Sequence, residues 1–308
     1  MSKTRAQRIV QRTVVGGGLS LVLAGMLYAT SLAGGDRLLL GGAVFLSCVG
    51  CFEAVRMGLF GSKVSLPALW VAVLVSGGIW AAVYDTCSCS CLDLSSYSPT
   101  QVYWGTLLLS PLVAWAAYLA VGLVHRPKRP DQDAPSSAGP RFLALLCITT
   151  ALTCMYPVRL FAGVQGLIAL IVLSKIGDIF GYYCGNMWGK HHPFPKLSPG
   201  KTTEGCLGSF VAGCIAGVLF QMYGMLPAGE VALLPGFWAG GLAGASLNLA
   251  SQAGDLFESS WKRQTSVKDS GTWFGPSGGM LDLVDSLLLS APVAALTWPW
   301  LFQWTFVS

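Results

Sequence analysis

Apolar runs separated by short polar stretches recur along the chain at roughly 13–33, 38–56, 65–84, 102–123, 141–157, 162–184, 205–225, 232–252 and 280–303. Most are close to the ~20 residues that a helix needs to cross about 30 Å of hydrocarbon. The runs are unbroken rather than alternating with period two, and a bilayer admits only helices or closed barrels. The pattern therefore predicts an all-α polytopic membrane protein with about nine transmembrane helices. The first run follows a basic stretch, as a signal peptide would, but it is long for one and has no clear A-x-A site, so it reads as a retained span.

The exceptions inside this pattern carry more information than the pattern itself, because ionisable residues within spans are costly and tend to be functional. They occur in pairs three residues apart, so each pair shares a helix face: Glu53 with Arg56, Lys175 with Asp178, Asp255 with Glu258, and Asp282 with Asp285. For the first two pairs, mutual neutralisation competes with a functional reading. Gly236, Gly240 and Gly244 form a small-xxx-small ladder, the mark of close helix packing.

Composition agrees with a membrane protein: 53% of residues are hydrophobic, 11% are charged and the mean hydropathy is +0.60. A net charge of +5 needs no nucleic-acid partner, since cytoplasmic loops are basic in any case. Sixteen Lys and Arg residues fall at the N-terminus and in alternate loops, against two, Arg37 and Arg159, in the opposite loops. This predicts a cytoplasmic N-terminus and an external C-terminus. It also places Asp178, Asp255, Asp282 and Asp285 towards the cytosolic face, beside basic loops at 186–204 and 253–277. The Pro/Ser-rich stretch 124–140 reads as a cytoplasmic linker between N-terminal transmembrane helices (1–123) and a C-terminal catalytic transmembrane domain (141–308). Of the ten cysteines, Cys48, Cys51, Cys147, Cys154, Cys184, Cys206 and Cys214 lie in or beside apolar runs and read as packing residues, whereas Cys87, Cys89 and Cys91 sit in a loop.

Acids, lysines and glycine turns at one membrane face suggest Mg²⁺ and phosphate chemistry. Mg²⁺ is typically held by one or two carboxylates plus substrate phosphates, glycine turns let backbone N–H groups approach phosphate, and lysine offers phosphate a point charge. Each element also has a plain structural reading. "KLSPGKTTEG" (196–205) lacks P-loop spacing, and Ser198 or Thr202 would serve as a helix cap with Glu204 nearby. His191 and His192 beside Lys190 read as a solvated basic loop.

Three blocks together resemble the phosphatidate cytidylyltransferase family, also called CDP-diacylglycerol synthase: "GDIFGYYCGNMWGKHHPFPKLSPGKTTEG" (177–205), "GDLFESSWKRQTSVKDSG" (254–271) and "GPSGGMLDLVDS" (275–286). The close resemblance covers roughly the second half of the chain. It implies transfer of CMP from CTP to phosphatidate with Mg²⁺, giving CDP-diacylglycerol and pyrophosphate, at the cytoplasmic face of a bacterial inner membrane, with a homodimer as a further expectation. Carried onto this sequence, it implies that Asp255 and Asp282 bind the metal and that Asp269 and Asp285 support them. Lys262, Arg263 and Lys268 would face phosphates, and Ser198, Lys201 and Thr202 would form the substrate loop. Asp178, Glu204, Gly278 and Gly279 would lie on the substrate side.

This chain departs from the family pattern at Ser277, where the family has His, at Leu283, where it has Arg, at Gly181, where it has Ala, and in the inverted order Gly275-Pro276. These departures keep three rivals in view: a CTP-dependent kinase or transferase acting on another lipid, a transporter, and a catalytically lapsed relative that binds lipid or nucleotide.

Overall fold

A computed structural model describes residues 35–60, 65–88, 99–124, 138–227, 236–275 and 278–302, with isolated positions between 25 and 31. The described elements are helical, with no strand among them: α1 (Gly35–Arg56), α2 (Leu66–Ser88), α3 (Pro99–Val124), α4 (Ala138–Thr150), a 3₁₀ turn (Leu152–Cys154), α5 (Met155–Trp188), α6 (Thr203–Met222), α7 (Gly236–Gln264), α8 (Met280–Val284) and α9 (Leu287–Leu301). Most of the first predicted span, most of the linker, Glu230, Ser277 and the C-terminal six residues lie outside the described residues, as do the side chains of Cys87, Cys89 and Cys91.

Among the described residues, six stretches are long and apolar enough to cross a membrane: Asp36–Arg56, Leu66–Val83, Gln101–Val121, Leu152–Trp188, Thr203–Met222 and Met280–Leu301. The boundary expected between spans at 157–162 is not a loop but a kink inside α5. Helix α4 ends after 13 residues, about 20 Å of helix, and the chain continues through the 3₁₀ turn into α5. The interruption falls at Gly163, whose φ of 68° and ψ of −172° lie where only glycine is at ease. The eighth predicted span also differs, because α7 continues through Asp255, Glu258, Lys262 and Arg263 to Gln264. At 29 residues it is long enough to cross, but it is too polar to count with the six. Its polar residues face protein: Asn248 and Ser251 are buried. Asn248 donates to Ser209 Oγ at 2.9 Å, and Ser251 donates to the Ser174 carbonyl at 2.7 Å. These two buried polar groups are thus answered by neighbouring helices, as hydrocarbon requires.

Helices α5, α6, α7 and α9 pack on one another, and α1 reaches this group through contacts with α5 and α8. The glycine ladder has its partner inside the chain. Gly240 and Gly244 lie against Gly213 and Gly217 of α6, so close that a Cβ at Gly217 would run into the Gly240 carbonyl and one at Gly244 into the Gly213 carbonyl. Gly236, at the end of the ladder, touches only Gln221. Gly244→Ala is therefore expected to force α6 and α7 apart and to cost about 1–3 kcal/mol, read as a lower unfolding midpoint in detergent.

Candidate active site

Four elements converge on one polar cavity of about 370 Å³, lined by Asp178, Lys201, Thr202, Gln252, Asp255 and Asp285 among others. Asp178 comes from the last turns of α5, Lys201 and Thr202 from the loop before α6, Asp255 from the extended end of α7, and Asp285 from the junction of α8 with α9. Close glycine contacts make this convergence possible. A Cβ at Gly254 would strike the Asp285 carbonyl, and one at Gly177 would strike Asn248 and Ser209.

The carboxylates are held by two lysines. Lys201 Nζ lies 3.1 Å from Asp255 Oδ2 and 3.4 Å from the Gln252 carbonyl. Lys175 Nζ lies 3.1 Å from Asp285 Oδ1 and 3.9 Å from Asp178 Oδ2. Asp285 Oδ1 also accepts the Ser286 N–H at 2.7 Å. The i,i+3 pair seen in the sequence, Lys175 with Asp178, is the longer contact, and the lysine is held chiefly by an acid 110 residues away. Asp255 Oδ1 is buried and has no hydrogen-bond partner among the described residues.

Thr202 caps α6, its Oγ1 accepting the Gly205 N–H at 3.1 Å. Glu204 is turned away from the cavity lining. It accepts the N–H groups of Lys190 and His191 at 3.1 and 3.3 Å and contacts His191 Nδ1 at 2.6 Å. The histidine next to a lysine thus has a carboxylate partner rather than only solvent. Ser198 and Arg263 belong to the same loop packing: the Ser198 carbonyl accepts Lys201 N–H at 3.1 Å, and Arg263 Nε donates to the Leu197 carbonyl at 3.3 Å.

Asp282 is in a second centre and does not line this cavity. It accepts Ser270 N–H and Gly279 N–H, each at 2.8 Å, and Ser270 Oγ at 2.7 Å. Lys262 is also here, 2.5 Å from Glu258 Oε2 and 2.8 Å from Asp282 Oδ1. The structure therefore does not unite Asp255 and Asp282 around one point, and it gives Lys262 two protein carboxylates in place of a phosphate. Gly278 and Gly279 likewise crowd the protein's own acids. A Cβ at Gly278 would collide with Asp282, and one at Gly279 with Glu53 and Ser270. Lys268 and Asp269 are exposed on the loop after α7. Leu283, in place of the family arginine, packs half-buried against the core.

Gln252, Glu258 and Ser270 join these centres without a site role assigned from sequence, and so do two residues whose charge stood out, Lys175 and Glu53. Lys175 had been weighed only as the partner of Asp178. Glu53, expected beside Arg56, instead receives Met280 N–H at 2.8 Å, Leu281 N–H at 2.9 Å and Ser270 Oγ at 3.0 Å. The one signal for both was an ionisable residue within a span.

Residues 10–300 match the family model described as the cytidylyltransferase family. The chain belongs to the cytidylyltransferase family. Among curated relatives, the phosphatidate cytidylyltransferase of Chlamydia muridarum is 40% identical over 135 residues, 43% of this chain and 43% of that protein. The phosphatidate cytidylyltransferase of Aquifex aeolicus is 40% identical over 118 residues, 38% of this chain and 41% of that protein. The enzyme of that name from Mycobacterium leprae is 28% identical over 267 residues, 77% of this chain and 81% of that protein. The chain thus spans less than half the length of the first two relatives and about four fifths of the third.

Proposed function

We propose that this integral membrane protein transfers CMP from CTP to phosphatidate, yielding CDP-diacylglycerol and pyrophosphate for phospholipid synthesis. The observation that carries the reading is the cavity lined by three carboxylates and Lys201 from four separate elements, with Lys175 paired to two of those carboxylates. Family membership and the names of the relatives supply the substrate class.

In the proposed reaction an oxygen of the lipid phosphate attacks the α-phosphorus of CTP. A new P–O bond forms, the bond to the β-phosphate oxygen breaks, and pyrophosphate carries away the electron pair. A phosphomonoester with a second pKa of about 6 is already largely ionised near neutrality, so it needs little help from a general base. The main obstacle is the approach of two polyanions. Lys201 brings fixed positive charge to the cavity lining, Lys175 neutralises two of the lining acids, and Asp178, Asp255 and Asp285 hold those ammonium groups in place.

Mg²⁺ is part of the proposal. Among the described residues no three His, Cys, Asp or Glu side chains form a ready cage. However, the unpartnered, buried Asp255 Oδ1 faces the requirement for one or two carboxylate ligands completed by substrate phosphates. Asp255, with Asp285 or Asp178 nearby, would hold the ion, which would supply charge neutralisation at the phosphates. This reading moves the metal role of Asp282 to the lining acids and leaves Asp282 a supporting part.

The proposed topology has about nine spans, the N-terminus in the cytoplasm, the C-terminus outside and the cavity at the cytoplasmic face of the inner membrane. It rests on the distribution of Lys and Arg. On this reading residues 141–308 carry the chemistry and 1–123 support it. A homodimer rests on the family resemblance alone, because Gly240 and Gly244 of the glycine ladder are occupied within the chain.

The test is to supply membranes containing the protein with CTP, Mg²⁺ and phosphatidate. CDP-diacylglycerol and pyrophosphate are the expected products. A phosphorylated lipid alcohol with CDP would identify a kinase instead, and no product with any lipid phosphate would overturn the enzyme reading.

A further inference from the structure

The geometry points to Glu53 as a positioning residue for the helix that carries Asp282 and ends at Asp285. Its kinetic consequence rests on the proposed CMP transfer. Glu53 lies on α1, more than 200 residues from every group it binds, and is 1% exposed. A carboxylate so deeply buried carries a large desolvation cost unless donors replace the lost water. Three donors do so here. Oε1 takes the Met280 N–H, while Oε2 takes the Leu281 N–H and the Ser270 hydroxyl. The i,i+3 neighbour Arg56 does not account for this arrangement, because both oxygens are directed to the last third of the chain.

The surrounding sequence is shaped to the same carboxylate. A Cβ at Gly271 would come within 2.6 Å of Glu53 Oε1, and one at Gly279 would collide with both carboxylate oxygens. Ser270 then links Glu53 to the next acid: its Oγ is 3.0 Å from Glu53 Oε2 and 2.7 Å from Asp282 Oδ2. The hydroxyl has one proton, so it donates to one carboxylate at a time, and its own N–H holds Asp282 throughout.

Helix α8 has only five residues. Asp285 and Ser286 keep helical dihedrals, so α8 runs on into α9, and the groups that need an outside partner are the N–H groups of its first turn. Glu53 holds the first turn. About 6 Å further along, the helix delivers Asp285 to Lys175 and the cavity. The N-terminal helices thus contribute one side chain that fixes where a cavity acid points, without lining the cavity themselves.

The experiment uses the full-length protein in detergent for amide exchange and in vesicles for transfer. It compares wild type with Glu53→Gln, Glu53→Asp and Tyr103→Phe. The last removes a buried hydrogen bond to the Ala295 carbonyl on α9 and serves as a stability control. Gln keeps the size but presents an amide donor to an array of donors. Glu53→Gln is expected to speed exchange at Met280 and Leu281 at least about fivefold, with α6 and α7 unchanged. It should also raise the Mg²⁺ concentration for half-maximal transfer about tenfold. A smaller active fraction would lower the rate without moving that concentration. Glu53→Asp, which keeps the charge on a shorter arm, should fall between the two, and Tyr103→Phe should lower Tm and shift neither readout. The inference is overturned if Glu53→Gln lowers Tm but leaves exchange and the Mg²⁺ midpoint at wild-type values. If Glu53→Gln does not fold, Ser270→Ala, which cuts only the bridge between the two acids, is judged by the same two readouts. If wild type makes no CDP-lipid, the proposed function fails and exchange alone decides. Acceleration confined to 278–286 then supports the inference, and uniform or absent acceleration overturns it.

Discussion

Asp255→Asn is expected to lower CMP transfer by about 10²–10³-fold, the scale on which removal of one preorganised charged or donor group usually acts. The substitution keeps the volume of the side chain and removes one negative charge. Lys201 loses the negative charge of its 3.1 Å partner and is left with only neutral oxygens, an amide and the Gln252 carbonyl at 3.4 Å, so the ammonium is held less firmly over the cavity. The unpartnered Oδ1 loses its capacity to ligate a cation. Folding should survive, because no other part of the protein depends on that atom. The measurement is the rate per folded molecule, with folding followed by thermal unfolding in detergent. Transfer within a few-fold of wild type would remove Asp255 from the proposed site.

The second large effect lies in stability. Lys262→Met is expected to destabilise the protein by about 3–5 kcal/mol, the range seen when one partner of a buried pair is removed and the other charge is stranded. Two acids are stranded here. Glu258 is 2% exposed, with its second oxygen already lacking a partner, and Asp282 is 11% exposed at the side chain. Adding Glu258→Gln to Lys262→Met should recover part of the loss, because the worst uncompensated charge is gone. Unfolding midpoints of the two single variants and the double variant check this. A Lys262→Met protein of wild-type stability, with only a raised KM for CTP, would return the lysine to substrate phosphate.

The fold was legible where hydrophobic run length alone decides it. The runs at 38–56, 65–84, 102–123 and 205–225 correspond to α1, α2, α3 and α6 within a few residues. Legibility ended where helices continue past the apolar stretch. The end of α7 carries Asp255, Glu258 and Lys262, which read as loop residues because lipid would reject them, yet Lys201 from the loop before α6 answers Asp255, and Glu258 and Asp282 answer Lys262. The backbone conformation of Gly163 leaves no periodic trace of its own, although the break it makes falls beside the gap between apolar runs at 157–162.

The separate acids were visible one by one, and the Lys201 loop was expected near them. Their sorting into two centres was not visible. Asp282 and Asp285 sit three residues apart on a sequence that would suggest one face, but α8 ends between them and the carboxylates part company. Glu53 could be suspected only as a costly acid in a span, because its partners lie across 217 to 228 residues of chain.

The reach of α7 has a consequence for where the lipid is met. The helix is about 43 Å long, against a hydrocarbon core of about 30 Å. Asp255 lies about 28 Å along it from Gly236. If Gly236 marks the outer boundary, as the proposed orientation has it, Asp255 stands at the depth of the inner-leaflet glycerol and phosphate. A phosphatidate molecule would then react from its resting depth, without its acyl chains leaving the bilayer or its phosphate entering hydrocarbon. The water-soluble nucleotide would be the partner that travels.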